Sequence, residues 1–289
     1  MRNLLMVCLF LLPLLFGWGR SCVWEVEKEG KKLFIGGTCH CLNKEDYPLP
    51  APFDKAYKAA EMLVFECDMD SMQSADFQKK SEKMQRYADG TTVKDHLSPQ
   101  VYGQLEAYCN SNNVVLARFG NFKPPTVMLV LTFIEFQKAG ISTAYGVDGH
   151  FHRLGKKEGK RMGGLESAES QMELIATMAD GIEDEFVLNS LGDMKGAGEK
   201  FKEIISAWKK GDSGKLVSLL QDEMVTEFPH LYKKIVVNRN KSWIPEIERL
   251  VKTPEREFIL VGAAHLVGKD SVLSMLKKRG YTVRFLEEK

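Results

Sequence analysis

The sequence predicts an α/β protein with a central mixed β-sheet flanked by helices and a largely helical insertion in its second half. Two observations support this prediction. Short apolar runs, such as residues 34–37 and 258–262, have the length of buried strands and end at glycines, and the segments between them have helical apolar spacing. With 289 residues, of which 44% are hydrophobic, the chain can form one large core.

The first half begins with a β-hairpin, whose strands cover residues 23–27 and 32–37. Residues 53–61 have helical spacing and precede a short strand over residues 62–65, which ends in Glu66. Residues 68–111 are helical and polar, with a break at Asp89-Gly90 and an N-cap at Ser98. The apolar residues 127–136 are too few to cross a bilayer and predict a core helix.

The second half begins with a strand over residues 161–165 that ends in Glu166, followed by an amphipathic helix over residues 167–178. Two or three further helices are expected from residue 182 to 252, as a lid or a substrate-selecting insertion. The last unit is a strand (257–262), a helix (270–279) and a strand (281–286), which predicts a β-α-β crossover with Gly280 at the helix C-cap.

The N-terminus has the pattern of a secretory signal. Arg2 is followed by an apolar stretch over residues 4–16, which is shorter than a membrane-spanning helix. We therefore expect a signal peptide over residues 1–21, or an uncleaved N-terminal anchor, followed by a single domain over residues 22–289. Lipidation of Cys22 is a weaker alternative. The expected location is exported: periplasmic, extracellular or attached to the membrane through this segment.

Charge and cysteine content exclude some partners and leave others open. The 40 basic and 39 acidic residues nearly cancel, so no nucleic-acid footprint is expected. The cysteines after the signal are odd in number and have no CxxC spacing, which leaves the disulfide state open. Cys39 and Cys41 flank a histidine and could contribute thiolates to a metal, but packing is the preferred interpretation.

Two strand ends deliver a histidine after glycine. These are Gly37-Thr38-Cys39-His40 and Gly262-Ala263-Ala264-His265, and Glu66 ends a third strand. Glycine lets the chain turn and approach a ligand closely, since no Cβ intervenes. His40, His265 and Glu66 together have the composition of a two-histidine, one-carboxylate site for a divalent metal. A solvent-facing Glu66 is the alternative if it is considered alone.

Several further residues are secondary candidates. Asp148 and His150 could be additional ligands or partners of the ligands, whereas His152 is expected to be a surface histidine of the same loop. Glu166 could act as a general base or simply begin the next helix. His96 and His230 are interpreted as structural.

These motifs resemble the TraB/GumN family, to which the Tiki metalloproteases belong. The resemblance rests on an ordered series of motifs along nearly the whole chain after the signal: Gly37-Thr38-Cys39-His40, Leu63-Val64-Phe65-Glu66, Tyr145-Gly146-Val147-Asp148-Gly149-His150-Phe151, Gly164-Leu165-Glu166-Ser167-Ala168-Glu169-Ser170-Gln171, Asn238-Arg239-Asn240 and Val261-Gly262-Ala263-Ala264-His265.

The resemblance implies an α/β fold related to the ChaN-like and erythromycin-esterase-like proteins. It also implies one cleft in which His40, Glu66 and His265 hold a divalent metal, with manganese or cobalt favoured and zinc possible in principle. The family motif makes Arg239 a candidate for stabilising an oxyanion. Cys39 and Cys67 depart from the residues common in the family, and a thiol near a metal could alter metal preference or sensitivity to oxidation.

The leading hypothesis is therefore an exported metal-dependent hydrolase, in the first instance a peptidase, with a peptide or protein substrate. Whether the chain is an enzyme at all stays open. A non-catalytic protein that binds haem, a metal or a peptide in the same cleft is one alternative. A metal-free esterase, in which a histidine is the base and Glu66 or Glu166 assists, is the other.

Overall fold

A computed structural model describes residues 21–194 and 196–287, which contain one six-stranded sheet. The predicted hairpin, the strand before Glu66 and the strand before Glu166 are all present within a residue or two of their expected bounds. The strands are β1 Val23–Lys28, β2 Lys31–Thr38, β3 Met62–Cys67, β4 Arg161–Glu166, β5 Glu257–Gly262 and β6 Thr282–Phe285.

The strand order is β4-β3-β5-β2-β1-β6. The first four strands are parallel to one another, whereas β1 is antiparallel to both β2 and β6. The sheet is therefore mixed, as predicted. Since β5 lies between β3 and β2, the carboxyl ends of the four parallel strands form one continuous edge, which is where open α/β sheets bind ligands.

Of the helices before β4, those over residues 51–59 and 147–158 pack on the sheet. The apolar segment around residue 130 is a helix, as expected, although it begins at Pro124, where proline is well suited to the first turn. The helices in this part are α1 Ala51–Ala59, α2 Met69–Met72, α3 Ala75–Met84, α4 Val93–His96, α5 Pro99–Ser111, α6 Pro124–Lys138 and α7 Val147–Glu158.

The helical insertion occupies the chain between β4 and β5. A π-helical turn, Lys233–Val237, connects its last two helices without a break. The C-terminal helix after β5 ends near Gly280, whose φ of 84° places it in the left-handed region expected of a helix C-cap. The helices are α8 Ala168–Ala176, α9 Glu183–Met194, α10 Ala197–Lys209, α11 Ser213–Leu220, α12 Asp222–Glu227, α13 Pro229–Tyr232, α14 Asn238–Leu250 and α15 Val272–Lys278.

The main core lies between the sheet and the helices α1, α7, α10 and α14. Its largest fully buried side chains include Phe53, Phe151, Trp208, Trp243 and Phe258. A second, smaller core lies among α4, α5, α6 and α9, around Leu105 and Leu131. Burial of so much aromatic surface fixes the helices on the sheet and hence fixes the strand ends relative to one another.

The predicted signal peptide, its cleavage point and the alternative anchor fall on residues 1–21, of which only Ser21 is described. Among the described residues, none of the helices is long and apolar enough to cross a bilayer. The five cysteines after the signal are all buried and all free. Burial of Cys39 and Cys41 agrees with their interpretation as packing residues.

Candidate active site

The predicted site residues lie along the carboxyl edge of the parallel strands. Glu166 ends β4, Glu66 lies at the end of β3, His265 follows β5 in a single 3-10 turn, and His40 lies two residues beyond β2. The strand order places β3 and β2 on either side of β5. His40, Glu66 and His265 are therefore neighbours in space although they are distant in sequence.

Gly262 forms the floor on which these three side chains converge. A Cβ atom built on Gly262 would lie 3.2 Å from Glu66 Oε1, 3.5 Å from His40 Nε2 and 3.7 Å from His265 Cδ2. The space above this glycine is thus bounded by a carboxylate oxygen and two imidazoles. We call this space the Gly262 cradle.

Glu66 is an ionised carboxylate in a buried position. Its Oε1 accepts the backbone N–H of Gly262 at 2.7 Å, and its Oε2 accepts from Arg239 Nη2 at 2.6 Å and from Gln171 Nε2 at 2.9 Å. Burial alone raises the pKa of Glu66, but the neighbouring His265 ring, the charges of Arg239 and His40 and the Gly262 N–H outweigh it and lower the pKa to about 2.

His265 is a buried, neutral imidazole in a defined tautomer. Asn240 Nδ2 donates to the Asp270 carbonyl at 2.8 Å, so its Oδ1 faces His265 Nδ1 at 2.7 Å and accepts the ring proton. The other ring nitrogen, Nε2, is then an acceptor and lies 3.1 Å from Arg239 Nη1. Burial lowers the pKa of His265 to about 4, which keeps this nitrogen unprotonated near neutral pH.

His40 is the exposed member of the group. Its Nδ1 lies 2.8 Å from Asp148 Oδ2, and the Thr38 hydroxyl donates to Asp148 Oδ1 at 2.9 Å. The Asp148 charge raises the pKa of His40 to about 9. Some 63% of the His40 side-chain surface is accessible, so this histidine faces solvent at the edge of the group.

Arg239 connects the two glutamates and His265. Its Nη2 contacts Glu66 at 2.6 Å and Glu166 at 2.5 Å, and its Nε donates to Glu166 at 3.0 Å. Trp243 Nε1 also donates to Glu166, at 3.3 Å. These contacts orient Arg239 through Glu166. The predicted roles of Arg239 as oxyanion stabiliser and of Glu166 as general base stay predictions.

Two residues of the site, Gln171 and Asn240, were not among those predicted from the sequence. The Gln171 amide donates to both glutamates, at 2.9 Å to Glu66 and 3.3 Å to Glu166, while its oxygen accepts from the Cys67 thiol at 3.2 Å. Both residues lie inside motifs that support the family resemblance. Their roles are not visible in the sequence, since helix packing determines which way each amide faces.

Three predicted residues lie elsewhere than expected. A Cβ on Gly37 would meet Cys22 Cβ at 3.2 Å and Ala263 Cα at 3.3 Å, so this glycine allows close backbone packing and does not line the cradle. His150 faces Tyr47, with ring centroids 5.3 Å apart, on another side of α7. His152 is not a surface loop residue: it is buried in α7 and lies 3.2 Å from Asp70 Oδ1.

The two histidines interpreted as structural differ in their surroundings. His96 stacks on Tyr87, with ring centroids 3.7 Å apart, and Thr91 Oγ1 lies 2.7 Å from its Nε2. His230 is an exposed residue of the short helix α13. Neither contacts the cradle residues described above.

The chemistry of the donor set suits a divalent metal. Each histidine has its Nδ1 beside an oxygen acceptor, which is usual for metal-binding imidazoles. Nε2 of His40 borders the cradle, whereas Nε2 of His265 accepts from Arg239 Nη1 and would have to exchange that contact for an ion. Glu66 supplies an ionised oxygen at the same cradle. Within residues 21–194 and 196–287, however, no three His, Cys, Asp or Glu side chains already surround a common ion position. His265 Nε2 lies 3.9 Å from Glu66 Oε1.

The structure defines an α/β protein in which strand-end histidines and a glutamate lie together at one edge of the sheet. The chain belongs to the TraB/PrgY/gumN family, whose sequence profile matches residues 22–284. It is similar to the uncharacterized protein YbaP of Escherichia coli K12, with 21% identity over 90% of this chain and 94% of that protein.

The Shigella flexneri protein of the same name is also 21% identical, over 83% of this chain and 86% of its own length. No solved structure matches the chain. Family membership was thus predicted correctly from the motifs, whereas the relatives carry no described activity in their names.

Proposed function

We propose that the protein is an exported metal-dependent hydrolase, in the first instance a peptidase, which uses His40, Glu66 and His265 to hold a divalent ion. The observation that carries this proposal is the Gly262 cradle, where an ionised carboxylate oxygen and His40 Nε2 lie within 3.5 Å of one point and the His265 ring borders the same space. Manganese or cobalt is the favoured ion, and zinc is the alternative.

A divalent ion at this position would polarise a substrate carbonyl as a Lewis acid. The chain's own groups would prepare the site for that chemistry. Asp148 and Asn240 fix the rotation of His40 and His265, and Arg239 keeps Glu66 ionised inside a buried cleft. Since His40 is the most accessible of the three, a substrate would enter from its side.

A peptide or protein substrate and an exported location are parts of the same proposal. The first is supported by the family resemblance and the second by the N-terminal sequence pattern. The helices over residues 168–250 supply Gln171, Arg239 and Asn240 to the cleft, so they act on the site directly. Because these helices form part of the site, we propose that they also select the substrate.

The test is metal binding by the purified protein, followed by peptide hydrolysis with the ion that binds. We expect His40→Ala and His265→Ala each to weaken manganese or cobalt binding at least about tenfold, as loss of a ligand does. His230→Ala is the matched control, because His230 is an exposed histidine of helix α13 and is not one of the residues that line the cradle. Absence of binding for manganese, cobalt and zinc, together with an unchanged His40→Ala variant, would remove the proposal.

A metal-free hydrolase is the second candidate, and the His40–Asp148 pair is the observation that favours it. A histidine held by a carboxylate is the usual form of a general base. With a pKa of about 9 for His40, the base would be mostly protonated at neutral pH. Full activity in the presence of a chelator, with a rate that rises towards pH 9, would support this candidate over the first.

A further inference from the structure

A pocket outside the cradle lies on the outer side of helix α7. The cavity has a volume of about 250 Å³ and opens to solvent between α7, the preceding 3-10 turn and the loop after β2. This is enough space for a small organic molecule or a single amino-acid side chain. Six residues line it: Lys44, Tyr47, Ala144, Tyr145, His150 and Arg153.

The charge of this lining is positive. Lys44 and Arg153 are both exposed, the lining contains no acid, and neither cation has an ion-pair partner among the residues that the structure describes. Arg153 is held in place, because its Nη2 donates to the Ala144 carbonyl at 3.1 Å. Its Nη1 lies 3.0 Å from where a Cβ on Gly149 would be, so the guanidinium lies close against the helix at a residue without a side chain.

Two nearby acids, Asp46 and Asp148, are engaged elsewhere, and Glu45, which follows Lys44 in the chain, is exposed and does not line the pocket. Lys209 pairs with Asp46 at 2.7 Å, and Asp148 is held by His40 and Thr38. Burial and the Arg153 charge lower the pKa of His150. The Asp54 charge raises this pKa by less, and Asp54 does not line the pocket. His150 is thus a neutral group, which can donate or accept one hydrogen bond.

The walls of the pocket are aromatic and fixed. The Tyr47 hydroxyl donates to the Tyr145 carbonyl at 2.8 Å, and the Tyr47 ring lies 5.3 Å from His150 and 6.4 Å from Tyr145, measured between centroids. A lining with two cations at the opening and three rings along the walls would suit a ligand that has one anionic end and a flat apolar body.

We propose that this pocket binds a small organic oxyanion, whose charged group lies between Arg153 and Lys44 and whose body packs against Tyr47, Tyr145 and His150. The oxyanion can be a carboxylate or a phosphate. The pocket and the cradle share helix α7 but use different sides of it, since Asp148 faces His40 and His150 faces Tyr47. The proposal does not depend on a metal or on hydrolysis.

The experiment is isothermal titration of the metal-free protein with three matched probes: benzoate, benzamide and phenyl phosphate. Benzamide has the shape of benzoate without its charge, and phenyl phosphate distinguishes a phosphate site from a carboxylate site. We expect saturable benzoate or phenyl phosphate binding, with benzamide at least about tenfold weaker, because a charge-assisted pair is lost.

Arg153→Gln and Lys44→Gln are each expected to weaken binding of the preferred anion about tenfold. Lys157→Gln is the matched control, since it removes one exposed positive charge from the same helix outside the pocket lining. Equal binding of benzamide, an equal loss in the Lys157→Gln variant, or no effect of either pocket variant would overturn the proposal. All these variants are at exposed positions, so their folding can be verified independently by thermal unfolding.

Discussion

Arg239 Nη2 donates to Glu66 Oε2 at 2.6 Å and to Glu166 Oε1 at 2.5 Å, and it is the cation that these two buried carboxylates share. All three side chains are no more than 12% exposed. Removal of the guanidinium would leave two negative charges in a poorly solvated cleft. Arg239 therefore contributes both to the stability of the fold and to the ionised state of Glu66 in the site.

Arg239→Ala is expected to lower the free energy of unfolding by about 3–5 kcal/mol, the usual cost of removing one partner from a buried ion pair. Denaturant unfolding at neutral pH measures this. Arg249→Ala is the control on the same helix: Arg249 is 61% exposed and pairs with Glu246 at the surface, so little change is expected there. Similar losses for both variants would contradict the buried ion-pair cluster.

Gly262→Ala is expected to fill the cradle. Its methyl group would lie 3.2 Å from Glu66 Oε1 and 3.5 Å from His40 Nε2, so an ion would lose its space while the glutamate kept its backbone hydrogen bond. We expect metal affinity to fall at least about tenfold because the ligands cannot close on one ion. Gly103→Ala is the control, since nothing lies within 4 Å of its Cβ position. Unchanged affinity in Gly262→Ala would place the ion elsewhere.

Metal affinity is expected to rise with pH up to about 9, the pKa of His40 in the metal-free protein. Below that pH, His40 is protonated and must lose its proton to bind an ion, so affinity should gain about one order of magnitude per pH unit. Calorimetry in buffers of different ionisation enthalpy should detect release of a proton from His40 at pH 7.

Asp148→Asn tests the cause of this pH dependence. Without the carboxylate charge the pKa of His40 falls, so the affinity should level off at a lower pH and fewer protons should be released at pH 7. If proton release does not change in Asp148→Asn, His40 is not the group that titrates.

Glu257 is expected to destabilise the fold at neutral pH. It lies at the start of β5, 1% exposed, and its Oε2 has no hydrogen-bond partner among the described residues. Burial raises its pKa, so the folded protein favours the neutral form. The resulting loss of stability is absent below the unfolded-state pKa and grows as the pH rises through that value towards the folded-state pKa.

Glu257→Gln should therefore increase the free energy of unfolding at pH 7 by about 1 kcal/mol, since the buried charge is removed. The difference from the natural protein should shrink below about pH 4, where the carboxyl is protonated in both the folded and unfolded states. Unfolding curves between pH 3 and 8, in steps of about one unit, measure it. Glu203→Gln, at an exposed position, is the control and should show no such trend.

The sequence by itself determined the strands of the sheet and the residues at their ends. It did not predict helix α7, which was expected to be a loop, and it predicted two or three helices from residue 182 to 252, where the structure has α9 to α14. Three strands could be predicted from local sequence patterns, because an apolar run and a glycine turn are local properties. They are the strands that end at Gly37 and Gly262 and the strand before Glu66. The two histidines and the glutamate were named from the same pattern. Family membership followed from the order of the motifs along the chain.

Only the tertiary structure decided which of these residues meet. Placing β5 between β2 and β3 brings His265 beside His40 and Glu66, and strand order depends on contacts between distant segments. Asp148 and His150 are two positions apart in α7, so their side chains point in directions about 200° apart around the helix axis. Asp148 therefore contacts His40, whereas His150 faces the pocket on the outer side of α7. The partners of His265 and Glu66, Asn240 and Gln171, likewise depend on how the insertion helices pack against the sheet edge.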